Sequence, residues 1–516
     1  MSDTALAPSS RRSGGRKARH AHRAAAPALD ARPIWPGMTG GTYTPLTPDD
    51  QTKIHNAALR VLEEIGLCDA PPSGVALMTG AGAKLGEDGR LRFPAKVIEE
   101  ALALTTRGLN LCARDVSQDL DLSGARVHYG TAGAAVHLVD GVTGVYRDST
   151  LQDLHDAARI VHQLDNVHFF QRTMVPRDIS DNRLMDLNTV YAAAAGTTKH
   201  IGSSFVHADH VRDCAPMLHA IAGSEAEWRA RPFLSQSNCF VVPPLKFATE
   251  SCEAMEVAIE IGMPVLLLSA GQAGATAPVT IAGAVVQAVA ECLAGLVYVN
   301  ALKPGHPAIF GTWPFVSDLR TGAMSGGSGE QALLTAACAQ MHRYYGLSGG
   351  AAAGIADSKL PDMQAGWEQA MSNVMAGLSG LNMVYESVGM HASLLGFCFE
   401  SLILGNDMLG QAQRCVRGIE VDEDTLAIEA MRGVCIGGAG HYLGSADTLA
   451  RMERDYFYPT LSDRSSPNQW VEKGTPDLVK QAARRKEEIL AAPSLGLIDP
   501  KADAWIRANY EIALPL

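Results

Sequence analysis

The sequence predicts an α/β protein: a (β/α)8 TIM-like barrel with an N-terminal α+β extension and a C-terminal helical extension. Three observations predict it. From Ser149 onward, short apolar runs alternate with helical patterns at a repeat of about thirty to forty residues. Strands separated by helices need crossover connections, which build a parallel sheet of one hand. Polar and charged residues then gather just past the predicted strand ends, the edge where such a barrel keeps its chemistry. An open doubly wound sheet is the competing arrangement.

Before this rhythm begins, Thr47-Pro48-Asp49-Asp50 reads as a helix start, with a hydroxyl N-cap, a proline in the first turn and acids at the positive end of the dipole. Ile54, Ala58, Val61, Leu62 and Ile65 keep helical spacing until Gly66. A second helix is expected over 94–105. Asp-Gly and Thr-Gly turns within 139–145 suggest hairpins between Leu109 and Arg147. The repeating part opens with helix 151–164 and strand 167–175, then helix 182–195 and strand 200–206. Helix 211–222 leads to strand 233–241, helix 250–261 to strand 264–269, and helix 279–301 to strand 308–313. Helix 329–345 precedes a small-residue strand over 348–355, whose lack of bulk leaves room beside it. Helix 364–378, strand 383–387 and helix 399–416 close the series. That makes seven strands; 127–139 or 434–437 supplies the eighth. A charged helix is expected over 476–491. The chain thus divides into a basic tail (1–34), an α+β extension (35–147), the barrel (148–440) and a C-terminal extension (441–516).

Composition excludes several classes. A net charge of -12 argues against general nucleic-acid binding, and 47% hydrophobic with 19% charged residues is globular. The first 32 residues depart from this, with seven Arg or Lys against Asp3 and Asp30 and no apolar periodicity, the pattern of a disordered tail. The most apolar stretch, 279–302, is interrupted by Gln287 and Glu291 and suits a buried helix better than a membrane span. The ten cysteines are scattered, with no C-x-x-C, H-x-C or H-E-x-x-H, so no metal site is expected and reduced thiols of a cytoplasmic protein are. Ala- and Gly-rich helices suit close packing and a homo-oligomer.

If the strand ends converge, one mouth gathers Ser203, Ser204, Gln236, Asn238, Gln272, Thr312, Trp313, Asp357, Lys359, Tyr385 and Glu386. Trp313, Phe315 and Tyr385, with Phe240 or Tyr442, offer aromatic walls; Glu330, Asp357, Glu386 and Glu400 offer negative charge. Aromatic faces plus carboxylates suit a quaternary ammonium, at about 0.5–2 kcal/mol per face. Each residue also has a plainer reading. Buried aromatics are usually core, and Glu330 would sit in a helix's first turn, where the dipole alone favours an acid. The preceding Ser325-Gly326-Gly327-Ser328-Gly329 lacks the Gly-Lys-Ser/Thr ending of a phosphate loop. Lys359 invites a Schiff-base reading, but neighbouring Asp357 and Asp362 favour its charged form and an ion pair.

Two segments, GAAAGIADSKLPDMQAGWEQ (350–369) and GGAGHYLGSADTLARMERDYFYPTLSDRSSPNQW (437–470), closely resemble the trimethylamine:corrinoid methyltransferase family. TYTPLTPDDQTKIHNAALRVLEEIG and SGGSGEQALLTAACAQMHRYYGL extend the resemblance, which runs from about Trp35 to the C-terminus. It implies a TIM-like barrel that passes a substrate N-methyl group to the cobalt of a corrinoid carried by a separate protein, with no metal bound in this chain. Archaeal trimethylamine enzymes of that family carry a pyrrolysine, placed by the resemblance near 355–358; standard residues stand here, as in a branch that includes a glycine betaine enzyme. A quaternary nitrogen departs as a neutral tertiary amine, whereas trimethylamine must first be activated, so the resemblance implies a betaine-type donor ahead of trimethylamine.

On this reading Asp357, Glu330 and Glu386 are the candidate catalytic carboxylates. Trp313, Phe315, Tyr385, Lys359, His441 and Gln236 are the candidate substrate contacts. Arg320, His342, His391, Lys359 and His441 are candidate donors to a betaine carboxylate, His441 first among the histidines. Two other readings stay open: a Schiff-base or metal-assisted lyase using Lys359 with Asp357 and Asp362, and a non-catalytic betaine-binding protein.

Overall fold

The computed structural model describes residues 32–237 and 239–515. Most of the predicted basic tail and Asn238 therefore lie outside the described residues. Eight parallel strands each precede a helix. The strands are β1 (Arg126–Tyr129), β2 (Phe170–Gln171), β3 (Ile201–Ser203), β4 (Leu234–Gln236), β5 (Val265–Ser269), β6 (Ala308–Thr312), β7 (Gly350–Ala352) and β8 (Met383–Tyr385). The helices that follow them are α1 (Leu151–His162), α2 (Asn182–Gly196), α3 (Ala208–Ala222), α4 (Thr249–Glu260), α5 (Ile281–Leu302), α6 (Gly329–Tyr345), α7 (Met363–Leu378) and α8 (Phe399–Arg417). β2 to β6 pair in chain order in one sheet, and β7, β8 and β1 pair in another. Isolated parallel bridges, Phe310–Gly349 and Gly130–Phe169, lie between the ends of the two. The architecture is mixed α/β.

The sequence forms these elements for simple reasons. β5 and β6 are buried at every position, as parallel strands covered on both faces must be, and they read as unbroken apolar or small-residue runs. α5 is as apolar as a membrane span, yet it is mostly buried inside this chain, with Glu291 bonded to Ser269 and Leu245. The eighth strand comes from 126–129, upstream of the expected barrel boundary; 434–437 instead follows on from a helix, Ile428–Cys435. β8 is shorter than expected because Glu386 adopts a left-handed backbone, φ 58°, which no extended ladder accommodates.

The loops beyond the strand ends carry structure of their own. Gln272–Ala273, after β5, pairs with Phe315–Ser317, after β6, which pairs in turn with Met324–Ser325. After β8, Met390–His391 and Gly396–Phe397 form a hairpin that joins His137–Val139 and Tyr146–Asp148 from the β1 loop. Two small sheets therefore rise from the C-terminal ends of the parallel strands.

The extensions pack outside. Helix Pro48–Arg60 has the N-cap expected at Thr47, and Asp50 completes a capping box by accepting a bond from the Thr47 backbone N–H. The turn that continues it to Ile65 ends at Gly66, where a Cβ would lie 2.1 Å from the Leu91 carbonyl oxygen. Near the C-terminus, Leu478–Ala491 joins α8 through Lys486 and buried Glu400, 2.5 Å apart. Asp407 of α8 accepts bonds from Thr460, Leu461 and Ser462 and fixes the chain entering this region.

The chain divides into two compact units: 36–419 with 458–515 form one, and the described residues of the other are 32–35 and 420–457. Within the smaller unit, helices Ile428–Cys435 and Ala446–Arg451 bury no residue, and Arg451 bridges Asp424 and Asp447.

Candidate active site

The C-terminal ends of the parallel strands collect polar groups that are buried and unpartnered. Glu386 follows β8 directly and is buried, and its Oε2 has no hydrogen-bond partner. Burial pushes its carboxyl up to about 8 from an ordinary 4.5. Its left-handed backbone is held by Ser387. The Ser387 N–H donates to the Gly130 carbonyl at 3.0 Å, its hydroxyl donates to Val384 O at 2.7 Å, and its own carbonyl accepts from Asn373 Nδ2 at 2.9 Å. Strain of this kind, about 1–3 kcal/mol, persists where neighbours over-determine it, and it marks functional turns more often than it marks errors of folding.

Beside Glu386 in sequence stands Tyr385, whose ring packs 4.9 Å from Trp313 and 5.1 Å from Phe169, centroid to centroid. All three rings are buried, and burial raises the Tyr385 phenol. The small-residue strand does leave room: a Cβ on Gly350 would meet the Tyr385 ring at 2.6 Å. The Trp313 indole N–H is buried without an acceptor. Its loop is placed by backbone bonds from Trp313 to Ser269 O and from Phe315 to Gly271 O, each 2.8 Å, and by Gln331 Nε2 on Pro314 O at 2.9 Å.

On the neighbouring strand ends, Gln236 is buried with both side-chain polar atoms unpartnered, next in register to Ser203, whose hydroxyl is unpartnered too. Cys239, on the loop after β4, is exposed.

Other candidates have different tasks. Asp357 is saturated: Oδ2 accepts from Ser325 Oγ at 2.7 Å, and Oδ1 from Gly326 N–H at 2.8 Å and Ser393 Oγ at 2.7 Å. It ties the loops after β6, β7 and β8 together and has little capacity left as a free counter-charge. Glu330 is exposed in the first turn of α6, where the dipole accounts for it. Lys359 is exposed and donates to the Asp357 carbonyl oxygen at 2.7 Å, so the expected carboxylate ion pair is replaced by a main-chain bond. Phe315 is buried in the small sheet after β6.

The expected carboxylate donors are committed elsewhere. Arg320 pairs with Asp318 at 2.6 Å; His342 Nε2 meets Thr312 Oγ1 and His391 Nε2 meets Ser401 Oγ, both at 2.6 Å. His441 is exposed in the smaller unit.

Arg172 follows β2, its Nε is buried, and its guanidinium makes no hydrogen bond or ion pair among the described residues; strand alternation turns it to the face opposite Phe169 and Tyr385, toward Asp186 of α2. Gln171-Arg172 interrupts an otherwise apolar run, His168-Phe169-Phe170 before it and Met174-Val175 after, and a charge inside a buried strand pattern is the signal that could have found it.

Comparison with known proteins adds to this geometry. The sequence pattern of the family described as trimethylamine methyltransferase (MTTB) matches residues 12–511. The chain is 29% identical over 467 residues to the glycine betaine methyltransferase of Desulfitobacterium hafniense, covering 90% of this chain and 96% of that one. It is 30% identical over 472 residues to the trimethylamine methyltransferase MttB of Methanosarcina barkeri, covering 90% and 93%. The solved structure of the Methanosarcina barkeri monomethylamine methyltransferase (MtmB) resembles it in fold, with a TM-score of 0.51 at 10% identity over 90% of each chain.

Proposed function

Because the chain belongs to the trimethylamine methyltransferase (MTTB) family, we propose that it moves an N-methyl group from a quaternary amine of the glycine betaine type to the Co(I) of a corrinoid held by a separate protein. The eight parallel strands, with bridges at both sheet junctions, are read as one (β/α)8 barrel whose C-terminal mouth is the reaction site. The observation that carries the proposal is the buried Glu386, whose Oε2 has no hydrogen-bond partner, next in sequence to Tyr385 of the Trp313–Tyr385 pair. An uncompensated carboxylate against aromatic rings is costly in an empty protein and is relieved by a desolvated cation.

The corrinoid supplies the nucleophile, and this chain supplies position and environment. Trp313 and Tyr385 wall the ammonium so that one methyl group faces the open mouth, the geometry an in-line displacement needs. The C–N bond breaks with its electron pair remaining on nitrogen, and a neutral tertiary amine leaves. No proton has to be supplied to that leaving group, so the chain needs no general acid. Glu386 balances the ammonium in the ground state and loses its partner as the charge is transferred. Neutral trimethylamine would have to expel a dimethylamide anion unless its nitrogen were first activated, and the standard residues at 355–358 offer no evident activation.

The test is to mix the protein with reduced corrinoid, free or on a partner protein, and a panel of quaternary and tertiary amines. Loss of the Co(I) absorbance with a betaine, and not without amine, is the expected result. Binding of the betaine with no spectral change in any corrinoid would instead support a binding protein.

A further inference from the structure

The inner face of β2 carries an amide that the fold does not use. Main-chain bonding along 169–173 alternates between the two neighbouring strands. Thr131 N–H donates to Phe169 O and Ala135 N–H to Thr173 O, on the β1 side; Phe170 and Arg172 N–H donate to His200 O and Gly202 O, on the β3 side. Phe169, Gln171 and Thr173 therefore share one face of the sheet, and Phe170 and Arg172 share the other. The first face is the one with the rings, because Phe169 packs on Tyr385 and Tyr385 on Trp313. Gly202, the register partner of Gln171, agrees: a Cβ there would lie 1.5 Å from Gln171 Oε1, so the amide lies across the bare inner surface of β3.

The registers also set levels. Phe169 bridges Gly130, the residue after the Tyr129–Val384 pair, and so stands level with Tyr385. Ala352 pairs with Tyr385, and the Phe310–Gly349 bridge sets Trp313 level with Ala352. The three rings form one layer, and Gln171 stands in the next layer toward the C-terminal strand ends, the side of the mouth. Its backbone is locked by Thr131, whose hydroxyl donates to Gln171 O at 2.7 Å and accepts from Gln171 N–H at 3.1 Å. Its side chain is 6% exposed, and the amide makes no hydrogen bond among the described residues. The Thr173 hydroxyl, next on the same face, is buried without a partner too. Buried amides and hydroxyls are costly when unpaired, and a ligand that brings a hydrogen-bonding group to this layer removes that cost. Two strand spacings, about 10 Å, separate the β8 and β2 backbones, and side chains that both point inward narrow the gap to the span of a small molecule.

Resting on the reading of this mouth as an ammonium site, we propose that Gln171 is a specificity-determining residue: its amide donates to the carboxylate of a betaine whose ammonium sits on the mouth-facing side of the Trp313–Tyr385 pair. A neutral donor suits this place, because it holds the acid end without repelling the ammonium. A hydrogen bond to a charged acceptor is roughly twice as strong as one to a neutral hydroxyl. Betaines of amino acids therefore rank above choline, and tetramethylammonium, which has no acceptor, ranks last.

The test is calorimetric titration of the full chain with glycine betaine, choline and tetramethylammonium, comparing wild type with Gln171→Leu, Gln171→Glu and Gly202→Ala. Wild type is expected to bind the betaine about 10- to 100-fold more tightly than tetramethylammonium, the range for a hydrogen bond to a charged group. Gln171→Leu should lose that preference and keep its tetramethylammonium affinity. Gln171→Glu should reverse it, since a carboxylate repels the acid end and attracts the bare cation. Gly202→Ala leaves Gln171 in the chain but fills the place of its amide, and should weaken the betaine alone. Because each readout is a ratio of two ligands on one protein, a merely destabilised variant would not produce it. A wild type without preference for the betaine, or a ratio that Gln171→Leu leaves unchanged, overturns the role of Gln171 and leaves the ammonium site standing. Failure of every ammonium to bind wild type overturns both.

Discussion

Replacing Glu386 with glutamine isolates the charge in the cup. Burial pushes the Glu386 carboxyl up to about 8. A quaternary ammonium has no proton of its own, so any pH dependence of its binding in this range belongs to the protein. Only the ionised form pairs with the cation, so apparent affinity should rise about tenfold per pH unit up to pH 8 and level off above it. From pH 6 to 8 that is about 100-fold. The same shift acts on stability. The folded state holds a proton between pH 4.5 and 8 that the unfolded state has released, so the unliganded protein should lose about 1.4 kcal/mol per pH unit across that window, starting from full stability below pH 4.5. Glu386→Gln should flatten both curves. It should bind the cation more weakly at pH 8.5, and without ligand it should melt several degrees higher there, since about 5 kcal/mol shifts a chain of this length by only that much. Calorimetry at half-unit pH steps and thermal melts supply both readouts. A wild-type binding curve flat from pH 6 to 9, or an unchanged one in Glu386→Gln, would refute the reasoning.

Other outcomes follow from the same contacts. Trp313→Leu should keep the fold and weaken ammonium binding by about 3- to 30-fold, the worth of one cation–π face, measured by calorimetry against a neutral isostere. Asn373→Leu removes the side-chain donor shared by Gln369 O and Ser387 O, and should cost about 1–3 kcal/mol in denaturant melts while lowering turnover more than affinity, because it frees the Glu386 turn. Lys359→Ala should leave methyl transfer within about twofold, since an exposed main-chain bond is worth little in water. Asp407 is held below its ordinary value: burial opposes ionisation, but bonds from Thr460, Ser462 and Leu461 outweigh it. Its contribution is present above pH 4 and lost as pH falls through the lowered value, and Asp407→Ala should show that loss at neutral pH as proteolytic nicking near 458–462.

The repeat of helices and strands was legible because each parallel strand is buried on both faces and reads as an apolar run, while each helix keeps its 3.6-residue stripe. β1 was harder to place. It is four residues long within a hairpin-rich region, and its partner β8 lies some 250 residues away, so nothing local identifies it. At the site, Trp313, Tyr385 and Glu386 could be named because they lie at or near the ends of predicted strands, and Gln236 because it is a polar residue in one. What the sequence could not tell was which carboxylate is free. Asp357, Glu330 and Glu386 look alike in a string of letters. Only packing separates a loop tie with three donors from a first-turn acid and from a buried charge with no partner.

The most direct measurement is a structure of the protein grown with glycine betaine or proline betaine. The account expects the methylated nitrogen against the mouth-facing side of the Trp313–Tyr385 pair, with Glu386 alongside and one methyl group turned to the open mouth. Density for the amine elsewhere on the protein would contradict it.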